Sequence, residues 1–226
     1  MLRITAGQFK GKRLEIPPES ITRPSSDRLR QAVFNILGNY LDWQSIKVLD
    51  AFSGSGTLGL ESLSRGASHA TFCENNLLAQ KILQKNISAT LKKESGLVSV
   101  HSDLFKLTKH KPFDLVFLDP PYDKSLEIKA IEHLIAYNLL NPKAIIVVEQ
   151  RKNANPVDIS QLPDITFLNK HQKMDSRFRG NDRRECVDRK EENCQPLEKG
   201  EPLMKNCVRI YGQCQVQFLV YDSSTK

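Results

Sequence analysis

The 226-residue chain lacks several features that would place it outside the cytoplasm. No apolar run approaches the roughly 18–20 residues that a membrane-spanning helix needs. Residues 1–13 mix charges throughout and contain no apolar stretch typical of a secretory signal. The five cysteines are odd in number and include no Cys-x-x-Cys pair, which excludes a small disulfide scaffold. We therefore expect a soluble, cytoplasmic protein with no membrane partner. We also expect a monomer.

The chain also lacks a recognisable metal-binding pattern. Cys186, Cys194, Cys207 and Cys214 are separated by seven, twelve and six residues, spacings that suit no common zinc module. No cluster of histidine and cysteine takes their place. The sequence therefore predicts no metal site.

Positive charge is concentrated at the N-terminus. The net charge is +7, and residues 1–30 alone carry seven basic and three acidic side chains. The basic residues are Arg3, Lys10, Lys12, Arg13, Arg23, Arg28 and Arg30. Phe9 lies among them as a candidate stacking group. The segment is either a solvated tail or an arm that contacts the phosphates of a nucleic acid, since lysine and arginine supply most of that affinity.

The body of the chain alternates between short apolar runs and helix-like periodicity. Strands are predicted at 46–51, 70–73, 97–100, 113–118, 144–148, 165–168 and 216–221, and helices at 58–64, 77–91 and 126–139. Another helix, capped by Ser25, Ser26 or Asp27, precedes the first strand. Continuous apolar strands that alternate with helices are typical of a parallel sheet. The pattern predicts a doubly wound α/β domain with an N-terminal extension.

The segment 174–206 does not fit that alternation. Sixteen of its 33 residues are charged and no periodicity persists, so it cannot bury enough surface to offset its ordering entropy. Its opening, MDSRFRGND, resembles a peptide that certain mobile genomic palindromic repeats encode. We interpret the segment as a disordered insertion.

A glycine-rich turn follows the first predicted strand of the sheet. It reads Asp-Ala-Phe-Ser-Gly-Ser-Gly-Thr-Leu-Gly over residues 50–59, where Gly54 and Gly56 allow close approach of a ligand. Phe52 and Thr57 are further candidate cofactor contacts in this turn. A dinucleotide would meet the turn with its pyrophosphate. S-adenosylmethionine, which carries an ammonium and a sulfonium, would benefit from the negative charge of Asp50.

Two further carboxylates follow the next two strands. Glu74 can accept both hydroxyls of a ribose, which serves either cofactor. Asp103 can accept a hydrogen bond from an adenine amino group. Each acid could instead cap a helix or face solvent.

The second motif decides between the cofactors. Asp119-Pro120-Pro121-Tyr122 follows the fourth strand, at the edge where open α/β sheets bind substrates. Two prolines stiffen the backbone and leave carbonyls without adjacent donors. A rigid carboxylate and carbonyl can accept both hydrogens of a planar amine, while Tyr122 offers a face for a base. This geometry points to an amine methyltransferase.

These motifs resemble the RsmD family of small-subunit (16S) ribosomal RNA guanine-N2 methyltransferases. Residues 3–14 match its opening basic-glycine motif, and residues 22–37 match its second motif. The resemblance covers residues 1–173 and resumes near residue 211. It departs at Gln31, where glutamate is expected, at Ser25, where threonine is expected, and in the insertion.

The resemblance implies a Rossmann-like class I methyltransferase with a seven-stranded, mostly parallel sheet whose last strand is antiparallel. Residues 1–40 would form an RNA-contacting hairpin and helix, and 41–226 the methyltransferase domain. S-adenosylmethionine would be converted to S-adenosylhomocysteine, and the partner would be rRNA in an assembled or partly assembled small subunit. Asp50, Phe52, Gly54, Gly56, Thr57, Glu74 and Asp103 would bind the cofactor; Asp119, Pro120 and Tyr122 would be catalytic; Arg3, Lys10, Lys12, Arg13, Arg23, Arg28 and Pro121 would bind the substrate.

Three alternatives stay open. The Asp-Pro-Pro-Tyr turn also suits an adenine-N6 DNA methyltransferase, although no separate DNA-recognition domain is visible. A non-catalytic rRNA-binding relic, disabled by the insertion, would not bind S-adenosylmethionine. A dinucleotide oxidoreductase would bind NAD instead.

Overall fold

The computed structural model describes residues 2–18, 27–92, 95–121, 126–152, 154–162, 164–168, 208–211 and 214–222. Within them the strands are β1 (Leu2–Arg3), β2 (Arg13–Leu14), β3 (Lys47–Asp50), β4 (His69–Cys73), β5 (Val98–His101), β6 (Phe113–Leu118), β7 (Leu140–Arg151), β8 (Ile165–Phe167), β9 (Val208–Tyr211) and β10 (Cys214–Tyr221). The helices are α1 (Asp27–Leu37), α2 (Thr57–Ser64), α3 (Leu77–Leu91) and α4 (Leu126–Ala136). None of these helices has the length and apolar character needed to cross a bilayer. The predicted insertion, 174–206, lies outside the described residues.

The main sheet has the order β5-β4-β3-β6-β7-β10-β8. Strands β3 to β7 pair in parallel, and β10 runs antiparallel to both β7 and β8. The predicted Rossmann-like fold is therefore confirmed, including the antiparallel last strand. An eighth strand, β9, pairs with the first half of β10 and was not predicted. Its four residues are too few to show periodicity beside a long charged segment.

The central strands are buried on both faces, which explains their unbroken apolar runs. In β3, Val48 faces a core formed with α1, α2 and α3, whereas Leu49 faces a second core formed with α4. In β6, Phe117 faces the first of these cores and Val116 faces the second. Helices on both faces leave the carboxyl edge of the sheet as the place for a ligand.

The structure corrects two predicted boundaries. The last helix, predicted over 126–139, ends at Ala136, because Asn138 adopts a left-handed φ of 53° and Leu139 N donates to Leu134 O at 2.8 Å. Strand β7 begins at Leu140, before the predicted start at residue 144. Its early part holds a bulge, where Lys143 has a φ of 66° and the register with β6 shifts.

The N-terminal residues form a hairpin of β1 and β2 that docks on α2. Gly7 approaches the helix so closely that a Cβ there would lie 1.7 Å from the carbonyl oxygen of Ser64. Gln8 N donates to that carbonyl at 2.7 Å, and Phe9 N donates to the Ser64 hydroxyl at 2.9 Å. The hairpin and α1 share one core with the sheet. The division of the chain at residue 40 stays a prediction.

Candidate active site

Five carboxylates occupy the carboxyl ends of five adjacent parallel strands. In the order of the sheet they are Asp103 beyond β5, Glu74 beyond β4, Asp50 at the end of β3, Asp119 beyond β6 and Glu149 near the end of β7. Because the carboxyl ends of parallel strands meet at one edge, the acids form a row along that edge. Four of the five were predicted from sequence. Glu149 was missed, although it follows an apolar run just as Asp119 does.

The glycine turn between β3 and α2 has the backbone that the sequence predicted. Gly54 and Gly56 have φ values of 52° and 77°, and Gly56 caps the N-terminus of α2 in the left-handed region. A Cβ on Gly56 would lie 2.3 Å from Leu83 Cδ1, and one on Gly59 would lie 2.3 Å from the Phe72 ring. The glycines therefore permit both the turn and the packing of α2 on the sheet.

Two of the predicted cofactor-binding acids also hold this turn in place. Asp50 Oδ2 accepts a hydrogen bond from Gly59 N at 2.9 Å, and Glu74 Oε2 accepts one from Gly54 N at 2.7 Å. Ser53 Oγ donates to Asp50 O at 2.6 Å. Carboxylate oxygens have further acceptor capacity, so these bonds leave Glu74 able to accept ribose hydroxyls.

Burial and mutual repulsion raise the pKa values of the carboxylic acids at the centre of the row. Burial raises the pKa of Asp50 to about 7, opposed by the Gly59 hydrogen bond and reinforced by the charge of Glu74. Burial also raises the pKa of Asp119 well above its ordinary value, and the charges of Glu149 and Asp50 raise it further. A cationic ligand would relieve this repulsion.

The other predicted cofactor residues lie around the same turn. Asp103 is half-buried, and its Oδ1 caps a short 3-10 turn by accepting from Phe105 N at 3.0 Å. Phe52 is half-buried against the α4-side core. Thr57 begins α2, and its hydroxyl lies 2.7 Å from that of Ser55. Asp103 thus performs the capping role that its position allowed, and its contact with adenine stays a prediction.

The Asp-Pro-Pro turn borders a small recess that is partly open to solvent. Asp119 is half-buried, Pro120 is buried and Pro121 is exposed, whereas Tyr122 lies outside the described residues. Arg30 and Glu149 line the same pocket, together with apolar side chains of α1, β6, β7 and β10. The turn therefore presents a carboxylate to a partly apolar recess, which suits a flat base that carries an amine.

The predicted phosphate-contacting arm divides into an exposed and a buried part. Arg3, Lys10 and Arg13 on the hairpin and Arg28 on α1 are exposed, and Lys12 is half-buried; Arg23 lies outside the described residues. Arg30, which the sequence groups with the basic residues of the arm, is only 1% exposed and does not belong to the solvent-facing part. Phe9 is half-buried against the core, so it is not a free stacking group.

Glu61 on α2 is a second buried charge that the sequence did not reveal. Its carboxylate is fully buried and accepts from Thr5 N at 2.7 Å, Thr5 Oγ1 at 2.6 Å and Ala6 N at 3.1 Å. It also forms an ion pair with Arg65 Nε at 3.0 Å. Glu61 therefore attaches the hairpin to the domain that carries the acidic row.

The described residues contain two free thiols and no cluster of side chains that could hold a metal ion. No cluster of three or more histidine, cysteine or acidic side chains there is arranged to hold a metal ion. Cys73 and Cys214 are free thiols, and the other three members of the cysteine set lie outside that part of the chain. Burial raises the pKa of Cys73 to about 12, so this thiol stays protonated at neutral pH.

Comparison with known proteins agrees with this geometry. The family model described as "Conserved hypothetical protein 95" matches residues 2–175. Ribosomal RNA small subunit methyltransferase D of Haemophilus influenzae is 39% identical over 157 residues, which cover 67% of this chain and 80% of that protein. The protein of the same name from Escherichia coli K12 is 35% identical over 148 residues, covering 66% and 74%.

A solved structure of a similar protein extends the match to the whole fold. A provisionally named methyltransferase of Escherichia coli, yhhF, superposes with a TM-score of 0.68 at 26% identity, covering 99% of each chain. The resemblance inferred from the sequence motifs is therefore confirmed. The chain belongs to the RsmD family of methyltransferases.

Proposed function

We propose that this protein transfers a methyl group from S-adenosylmethionine to the exocyclic N2 amine of a guanine in small-subunit ribosomal RNA. The observation that carries the proposal is the position of Asp119-Pro120-Pro121 beside the glycine turn, on the neighbouring strand of the sheet. The names of the relatives support an rRNA substrate. The assembly state of the subunit, the monomeric state and the cytoplasmic location stay predictions.

The residues around the glycine turn fit S-adenosylmethionine. The left-handed φ values of Gly54 and Gly56 form a tight turn between β3 and α2 at the carboxyl edge of the sheet, where a ligand is expected. Glu74 would accept the ribose hydroxyls, and Asp103 the adenine amine. The carboxylates of Asp50 and Glu74, whose repulsion adds to the raised pKa of Asp50, favour a ligand with cationic groups over one with phosphates. S-adenosylmethionine supplies the electrophilic methyl group.

The Asp-Pro-Pro turn would position the amine. Asp119 would accept one hydrogen of the amine and the Pro120 carbonyl the other, which directs the nitrogen lone pair away from the turn and towards the methyl group. Tyr122 and Pro121 would contact the base. Holding the two reactants in line supplies on the order of 7–11 kcal/mol. Removing the base from its stack costs a few kcal/mol, which the pocket contacts offset.

The exposed basic residues of the hairpin and α1 would bind the RNA backbone. Arg3, Lys10, Arg13 and Arg28 project from elements that share a core with the sheet, so their position relative to the site is determined by packing. Phosphate contacts of this kind orient a nucleic acid without reading its sequence. We propose that they present the target guanine to Asp119.

Replacing Asp119 by alanine tests the proposal. We expect Asp119→Ala to abolish methylation of small subunits isolated from a strain that lacks the enzyme, and to leave S-adenosylmethionine affinity by calorimetry nearly unchanged. The exposed Asp158→Ala is the matched control and should retain full activity. Mass spectrometry of the wild-type product identifies the base. Retained activity in Asp119→Ala would contradict the assignment, methyladenine in DNA would favour the alternative substrate, and absence of cofactor binding would favour a relic.

A further inference from the structure

The pocket beside Asp119 contains two charged side chains that the proposed reaction does not use. Arg30 enters it from α1 and Glu149 from β7, while the rest of its wall is apolar apart from Asp119. Charged groups buried in such a place are costly unless a partner meets them. Arg30 therefore raises the question of which ligand its guanidinium contacts.

Arg30 has donors that no residue in the described part of the chain satisfies. Its Nη2 donates to Arg3 O and to Asp27 Oδ1, both at 2.7 Å. Its Nε and Nη1 are buried and have no hydrogen-bond partner among the described residues. Arginine nitrogens can only donate, so a ligand that meets Arg30 in this pocket would do so with an acceptor.

Glu149 lies next to Asp119 across two paired strands. Leu118 and Val148, the residues just before the two acids, are in register in the parallel pair of β6 and β7. Glu149 is 7% exposed, and its charge raises the pKa of Asp119. Two adjacent carboxylates offer acceptors, so a ligand that spans them must carry donors on neighbouring atoms.

Guanine is the base whose edge matches this set of groups. Its Watson–Crick edge carries an acceptor at O6, a donor at N1 and two donors on the N2 amine. Adenine carries an acceptor at N1 and no oxygen at C6, so it would leave the donors of Arg30 unmatched and place a lone pair against a carboxylate. The apolar walls formed by Leu29 and Val216, among others, suit the faces of a flat ring.

We propose that Glu149 and Arg30 select guanine: Glu149 accepts the N1 hydrogen and Arg30 donates to O6, while Asp119 holds the N2 amine. This inference rests on the proposed function and adds the residues that determine its base specificity. A site built to hydrogen-bond a substrate discriminates strongly against an analogue that lacks the matching groups, because its buried groups are then left unpaired.

The test uses 2-aminopurine, which keeps the 2-amine but lacks O6 and carries a lone pair at N1. The wild-type product is first mapped on native small subunits. Subunits are then reconstituted with guanine or 2-aminopurine at the mapped position, and kcat/KM is measured for both. We expect the wild-type enzyme to prefer guanine by at least about 100-fold.

The variants Glu149→Gln and Arg30→Lys should lower the ratio of kcat/KM for guanine to kcat/KM for 2-aminopurine about tenfold or more. The amide nitrogen that Glu149→Gln introduces can donate to N1 of 2-aminopurine, whereas its oxygen is an uncharged and weaker acceptor for the N1 hydrogen of guanine. Activity on the analogue should therefore rise relative to activity on guanine. Exposed Glu132→Gln on α4 is the matched control and should keep the wild-type ratio. Melting temperature and S-adenosylmethionine affinity establish that each variant is folded.

The outcomes separate this inference from the proposed function. Absence of N2-methylguanine in the wild-type product would contradict the proposed function, and the inference would fail with it. If the wild-type enzyme forms N2-methylguanine but both variants keep the wild-type guanine preference, the inference alone is wrong. A purely structural role would lower both rates equally and leave the ratio unchanged, which also overturns it.

Discussion

Replacing Glu61 by alanine should lower the free energy of unfolding by about 3–5 kcal/mol. The side chain is fully buried and accepts hydrogen bonds from Thr5 and Ala6 while it pairs with Arg65. Each buried donor that loses its acceptor costs about 1–3 kcal/mol. Thr5 and Ala6 are half-buried, so water can reach some of these donors after the substitution. The expected loss of stability is therefore well below the sum of the costs of the individual hydrogen bonds.

Urea unfolding followed by tryptophan fluorescence measures this loss. The single tryptophan, Trp43, has its ring centre 5.5 Å from that of Phe34 in the core that the hairpin completes, so its emission reports on that core. For a chain of this size the loss corresponds to a fall in Tm of about 6–20 °C. Hydrogen exchange at Thr5 and Ala6 should accelerate at the same time.

Glu15→Ala is the matched control for Glu61→Ala. Glu15 pairs with Lys85 at 3.3 Å, but both side chains are at least 60% exposed, so its removal should cost no more than about 1 kcal/mol. Equal losses in the two variants, or a loss below about 1 kcal/mol for Glu61→Ala, would refute the conclusion that this buried carboxylate attaches the hairpin.

Two further predictions concern the cofactor and the RNA. Because the folded pKa of Asp50, about 7, exceeds its ordinary value of 3.8, S-adenosylmethionine affinity should rise from pH 6 to 8 with release of a proton, and calorimetry should show no such rise in Asp50→Asn. For the same reason the contribution of Asp50 to stability is complete below pH 3.8 and is lost as the pH rises towards 7. Arg28→Ala should reduce the slope of log RNA affinity against log salt by about 0.7–0.9, whereas Lys129→Ala on α4 should not; an unchanged slope in Arg28→Ala would indicate a solvated arm.

Most of the fold could be predicted from local patterns. The apolar runs of β3 and β6 and the helical periodicity of α3 reflect burial that each segment undergoes in any parallel α/β sheet. The end of α4 could not be predicted in this way, because Tyr137 and Leu139 continue the apolar spacing. Only the left-handed turn at Asn138 ends the helix. Strand β9 is too short to carry a periodic signal.

The residues of the site also fall into two groups, those that local sequence patterns predict and those that only the tertiary structure determines. Gly54, Gly56, Asp50 and Asp119 were identified because a turn after a strand constrains residue types locally, through φ and through the stiffness of proline. Tertiary packing determined which of the other charged side chains are buried. Arg30 looks like any other basic residue of the arm, and Glu61 like an ordinary helix residue. Glu61 is buried because its hydrogen-bond partners, Thr5 and Ala6, lie 56 and 55 residues away in sequence, and no local pattern records a contact over that separation.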